Sequence, residues 1–157
     1  MKHTIQALVE NKFGVLARVA SLFSARGYNI SSLAVGETQD PSMSCMTIVV
    51  NAEDERMLQQ IKNQLQKLID VITVIDFTHK KYIDRELILC KIERVEENKN
   101  VITKLIKQFP VKVIEETDEY FLLEICADTQ QIKEILKEVK KIEIKELVRA
   151  GKIAIGK

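Results

Sequence analysis

The chain has no tryptophan, two prolines, five glycines, three cysteines and two histidines among its 157 residues, and the scarcity of histidine and cysteine already argues against whole classes of protein. His3 and His79 have no histidine or cysteine neighbours at ligand spacing, which argues against zinc and other transition-metal sites. Cys45, Cys90 and Cys126 are odd in number, far apart and each set in an apolar run. They read as reduced, buried, small hydrophobes rather than a disulfide framework. No apolar run approaches the ~18 to 20 residues that a membrane-crossing helix needs. The opening Met1-Lys2-His3-Thr4-Ile5 lacks the apolar block of a signal peptide, so a cytoplasmic protein is expected.

Charge of one sign is also missing. Lys and Arg number 24 against 23 Asp and Glu, and residues 1–80 hold 8 of each sign while residues 81–157 hold 16 and 15. A phosphate-gripping domain draws most of its non-specific affinity from a basic excess, so nucleic acid is disfavoured as a partner. No Gly-rich phosphate loop, Gly-x-Ser-x-Gly elbow or His beside a nucleophile is present, and no catalytic residue is assigned. The acidic pairs Glu96-Glu97 and Glu115-Glu116 sit at element ends and read as solvated charge.

What is present is a pattern that occurs twice. Thr4 to Val9 alternates as a strand. Val15, Leu16, Val19, Leu22 and Phe23 mark one helix face that ends at Gly27. Strands follow over Tyr28 to Val35 and Met43 to Val50, around the turn Thr38-Gln39-Asp40-Pro41-Ser42. Leu58, Ile61, Leu65 and Leu68 mark a second helix behind Asp54, a candidate N-cap, and Asp70 to Phe77 is a fourth strand.

From Arg85 the order repeats: strand, a helix with Ile102 and Leu105, strands over Val111 to Glu115 and Glu119 to Cys126, a helix with Ile132, Ile135 and Val139, and a last strand over Ile142 to Val148. The reading is α+β, a tandem of ferredoxin-like βαββαβ units at residues 1–78 and 84–157 with a linker at 79–83. Units of about 75 residues bury only about 60% of their chain surface and leave sheet edges open, so pairing is expected. RNA-recognition domains share this element order but need aromatics on the central strands. Met43 to Val50 has none, and Tyr120 and Phe121 point to opposite faces of one strand.

The connection Glu10-Asn11-Lys12-Phe13-Gly14-Val15-Leu16 combines a helix start, whose free N–H groups attract a carboxylate, with Gly14, which permits close approach, and Asn11, which both donates and accepts. An α-amino acid needs those groups, and Asn29 offers a second amide if a neighbouring subunit brings it across. The residues alone leave other roles open: Asn11 as a helix cap, Gly14 as a turn residue, Phe13 as a hydrophobic staple, Asn29 as a solvent-facing strand residue.

The runs Asn11-Lys12-Phe13-Gly14-Val15-Leu16-Ala17-Arg18-Val19 and Leu22-Phe23-Ser24-Ala25-Arg26-Gly27-Tyr28-Asn29-Ile30-Ser31-Ser32-Leu33 closely resemble the small regulatory subunit of acetolactate synthase, also called acetohydroxyacid synthase. The likeness continues through Asp40-Pro41, Met46-Thr47-Ile48 and Arg85-Glu86-Leu87 to Arg149-Ala150-Gly151. The resemblance implies an N-terminal ACT domain that pairs with a second copy and binds valine at the interface. Asn11, Lys12, Phe13, Gly14, Val15 and Leu16 come from one subunit, and Asn29 and Ile30 from the other.

It further implies a non-catalytic partner of a large subunit that itself carries thiamine diphosphate, Mg²⁺ and FAD and works in branched-chain amino acid biosynthesis. Cys45 stands where the family tends to have Arg, and Ala150 where it has Ser or Thr, which puts one contact at each position in doubt. The alternative is a free-standing tandem ACT regulator of another pathway or of transcription.

Overall fold

The computed structural model describes all 157 residues. Its elements run β1 (Lys2–Glu10), α1 (Val15–Ala25), β2 (Ile30–Glu37), β3 (Met43–Asn51), α2 (Glu55–Gln66) and β4 (Val71–Asp76), then β5 (Tyr82–Glu93), α3 (Glu96–Gln108), β6 (Val111–Glu116), β7 (Tyr120–Ala127), α4 (Thr129–Val139) and β8 (Ile144–Gly156). Two four-stranded antiparallel sheets result, in the orders β2-β3-β1-β4 and β6-β7-β5-β8. Both orders are those of the expected tandem ferredoxin-like fold.

In the first unit the alternation of β1 sends Ile5, Ala7 and Val9 to one face, where they meet Met46, Ile48 and Val50 of β3. Helices α1 and α2 cover that face with Val15, Val19, Leu22 and Phe23, and with Leu58, Ile61 and Leu65. Asp54 caps α2 as anticipated, its carboxylate accepting the Met57 N–H at 2.8 Å. Helix α1 ends in a paired reversal at Gly27, whose φ is 68°. The Gly27 N–H bonds the Ser24 carbonyl and the Tyr28 N–H the Phe23 carbonyl, both at 3.0 Å, while the Phe23 and Tyr28 rings meet edge to face at 6.4 Å. A glycine is required there because the left-handed backbone crowds any Cβ.

The second unit has its own core of Ile88, Cys90, Ile92, Leu123 and Ile125 under α3 and α4. Asp128 and Gln131 form a reciprocal capping box at the start of α4. Asn98, buried in the first turn of α3, donates to the Glu93 carbonyl at 2.8 Å and so joins that helix to the end of β5.

The compact units are residues 1–83 with 152–157, and residues 84–151. Of the stretch read as a linker, Tyr82 and Ile83 already belong to β5, and the last strand runs on past Val148 to Gly156. Residues 152–157 pack on the first unit: the Gln6 side-chain amide donates to the Ala154 carbonyl at 2.9 Å, and the Lys152 N–H bonds the Ser32 hydroxyl at 2.8 Å. This segment explains why Thr4, Thr47 and Val49, which face away from the helices, are buried. Phe77 anchors the same side, 5.0 Å from the Tyr82 ring and against Gly156.

The cysteines depart from expectation in one case. Cys90 is buried and Cys45 half-buried, but Cys126 is exposed, because β7 turns Leu123 and Ile125 toward the helices and alternation puts Cys126 on the other face. Burial pushes the Cys90 thiol up to about 11, while Cys45 is raised by burial. A thiol reagent at pH 8 is expected to label Cys126 rapidly and Cys90 only after unfolding, as peptide mapping of alkylated protein will show. Phe77→Ala is expected to cost about 3–5 kcal/mol in a urea melt, since it removes a buried ring from that side.

Candidate effector site

The β1–α1 connection is fastened to the β2–β3 hairpin. The Asn11 backbone N–H bonds the Ser42 carbonyl at 2.7 Å, and its side-chain NH₂ donates to Glu37 Oε1 at 3.0 Å and to the Pro41 carbonyl at 2.9 Å. Both amide hydrogens are thereby used, and Asn11 Oδ1 is the acceptor left for a ligand. Asn11 therefore does not cap the helix. No side chain caps α1 and no acidic residue lies in its first turn. The Val15 N–H bonds the Lys12 carbonyl at 3.3 Å, which leaves the Leu16 and Ala17 N–H groups at the helix start, where the helix carries a partial positive charge.

Gly14 is the N-cap residue of α1, with φ 80° and ψ −6°. A Cβ there would sit 3.0 Å from Arg18 Nη1 in a backbone region that side chains avoid. Arg18 is held in turn by Asp70, Nε to Oδ2 at 2.7 Å, and the Glu10 N–H bonds the Asp70 carbonyl at 2.8 Å. Lys12 pairs with Glu10 at 2.7 Å, and that hydrogen bond holds its ammonium above the ordinary lysine range. Apart from the local Lys12–Glu10 pair, these clamps come from residues 26 to 60 positions away, so no local motif announces them.

Of the expected site residues, Asn11, Lys12, Phe13, Gly14 and Leu16 are presented at one end of the sheet, while Val15 turns its side chain into the core. Phe13 is fully exposed, at 102%, and so staples nothing; Leu16 is 46% exposed. Asn29 lies in the corner before β2, exposed, with its carbonyl accepting the Asn51 N–H. Ile30 opens β2 opposite Val50.

Glu10 lies opposite Met43 and Ile30 opposite Val50, so the two groups sit seven residues apart along β3, roughly 23 Å at 3.3 Å per residue. One small molecule cannot touch both groups within one chain. Elsewhere, no group of three or more His, Cys, Asp or Glu side chains is gathered in a metal-holding arrangement, and no helix is long and apolar enough to cross a membrane.

Gly14→Ala is expected to lower stability by about 1–2 kcal/mol in a denaturant titration, the cost of a left-handed alanine. Arg18 must also shift to admit the methyl group.

Comparison with known proteins places both units. Residues 5–73 match the family described as the AHAS small subunit-like ACT domain, and residues 85–157 match the small subunit of acetolactate synthase. A probable acetolactate synthase small subunit of Archaeoglobus fulgidus is 41% identical over 155 residues, 99% of this chain and 96% of its own length. The acetolactate synthase small subunit of Mycolicibacterium smegmatis is 39% identical over 155 residues, 99% of this chain and 91% of that one. The crystal structure of the acetolactate synthase small subunit from Thermotoga maritima superimposes with a TM-score of 0.86 at 31% identity, covering 100% of this chain and 98% of that one. The chain thus belongs, over nearly its whole length, to the acetolactate synthase small-subunit family.

Proposed function

We propose that this chain is a non-catalytic regulatory subunit that binds the catalytic large subunit of acetolactate synthase, raises its activity and confers feedback inhibition by valine in branched-chain amino acid biosynthesis. Thiamine diphosphate, Mg²⁺ and FAD belong in this reading to the large subunit. Valine lies between the first units of two copies of this chain.

The observation that carries the reading is the bond from Asn11 to Glu37, which places the helix-start loop beside the far end of β2. Strand β2 is an open edge of its sheet. If two copies pair antiparallel along that edge, the Asn29-Ile30 start of one β2 arrives next to the Glu37 end of the other, and hence next to the partner copy's Asn11 loop. The roughly 23 Å gap within one chain closes between two chains. The zwitterion then sets its carboxylate on the Leu16 and Ala17 N–H groups, its ammonium on Asn11 Oδ1, and its isopropyl group between Leu16 and the other copy's Ile30.

Because each site needs both copies, valine favours one arrangement of the pair over another. A coupling of about 1–3 kcal/mol would alter affinity for the large subunit or its activity by about 5- to 150-fold. One methylene is worth only about 1–3 kcal/mol in such a pocket, so leucine and isoleucine should bind more weakly than valine without being excluded.

Calorimetry on the isolated protein should give heat with valine, and Asn11→Ala should weaken binding about tenfold or more, equivalent to about 1.4 kcal/mol. No heat with any branched-chain amino acid at millimolar concentration, or unchanged binding in the variant, would overturn the site. Reconstitution with the cognate large subunit, with and without valine, tests activation and feedback together.

A further inference from the structure

A groove of about 540 Å³ runs between α1 and α2 on the helical layer of the first unit, lined among others by Gly14, Arg18, Leu22, Arg26, Gln64 and Lys67. From Gly14 to Arg26 it follows about 18 Å of helix at 1.5 Å per residue. Three of its lining side chains are cationic and none is acidic. Arg18 is compensated by Asp70, but Arg26 bonds only the neutral Gln64 amide oxygen, at 2.8 Å. Lys67 enters no ion pair.

The groove is flanked in sequence by two large apolar residues with almost no cover: Phe13 precedes Gly14, and Ile69, 94% exposed, follows Leu68. Both adjoin one end of the unit, since the Glu10 N–H bonds the Asp70 carbonyl. Exposed aromatic and aliphatic tips beside uncompensated cations have the composition of a protein-binding surface, where apolar anchors supply affinity and charge supplies orientation and on-rate.

We propose that this groove seats an acidic segment of the catalytic large subunit, with carboxylates over Arg26 and Lys67 and apolar side chains against Phe13 and Ile69. The proposal rests on the regulatory reading above and adds where the large subunit docks. The occupant follows from the charge: every charged side chain lining the groove is cationic, Arg26 and Lys67 without a carboxylate partner, and it lies on the helical layer, not on the β2 edge assigned to pairing of two copies. The placement also supplies a route for feedback. Gly14 ends the effector loop and begins the groove, and its carbonyl accepts the Arg18 N–H at 3.0 Å, so an amino acid seated on the loop acts on the helical turn that carries the groove's first cation.

The test measures binding of the full-length protein to the large-subunit holoenzyme at low and high salt, for wild type, Arg26→Glu/Lys67→Glu and Ile69→Glu. All three side chains lie at the surface, and thermal melts check that both variants fold. Each variant is expected to bind about tenfold more weakly or worse, and the charge-reversed protein should also lose most of the salt dependence seen for wild type. Valine calorimetry on the isolated variants should stay within about twofold of wild type.

Wild-type affinity and salt response in both variants would overturn the docking site while leaving the regulatory reading intact. Loss of self-association by the isolated variants would show that the groove holds a second copy of this chain, and would overturn it as well. A wild-type protein that never binds the large subunit would overturn the regulatory reading and the docking site together.

Discussion

The side chain of Asn11 joins the end of β1 to the distant β2–β3 hairpin, which it grips both at the end of β2 and in the turn before β3. With both amide hydrogens committed to Glu37 and Pro41, the loop that follows has a fixed origin, and Gly14 can reverse the backbone at φ 80° into a helix that nothing caps. A helix start without an internal partner keeps its exposed donors and its local positive potential. The same anchoring sets the direction in which the donors point and the end of the sheet at which they lie. The Arg18–Asp70 pair holds the first turn from its other side. The proposed effector binding depends on that local arrangement rather than on any single reactive group.

The second constraint is one of size and edges. A four-stranded sheet with helices on one face has an opposite face and two open edges to account for. In the first unit, residues 152–157 lie against that opposite face, where Gln6 bonds the Ala154 carbonyl and Ser32 the Lys152 N–H. The β2 edge remains open, and it carries the two ends of the proposed effector site. Membership in the acetolactate synthase small-subunit family gives this edge and the α1–α2 groove their setting.

Much of the fold was legible in the chain because the signals were periodic and local. The apolar spacing of α1 and α2, the Asp54 cap, the Gly27 stop and the strand alternation of β1 and β3 each rest on residues within a few positions of one another. The apolar pattern breaks at Arg149-Ala150-Gly151-Lys152, which points to a strand end at Val148, yet the strand runs on to Gly156 with Lys152 and Ala154 bonded to the distant side chains of Ser32 and Gln6. Cys126 is exposed against expectation because an apolar run such as Phe121 to Cys126 does not say which residues face the helices.

The sequence by itself determined the element order, the two-unit organisation, the glycine at the head of α1 and the amide beside it, because backbone preference and helix periodicity are short-range properties. Tertiary structure alone decided what those groups do. It set Asn11 against Glu37 and Pro41 instead of on the helix, turned Val15 into the core and Phe13 out of it, and put Asn29 and Ile30 at the opposite end of β3 from the loop. Those outcomes depend on strand register and on contacts between residues tens of positions apart, which no local pattern encodes.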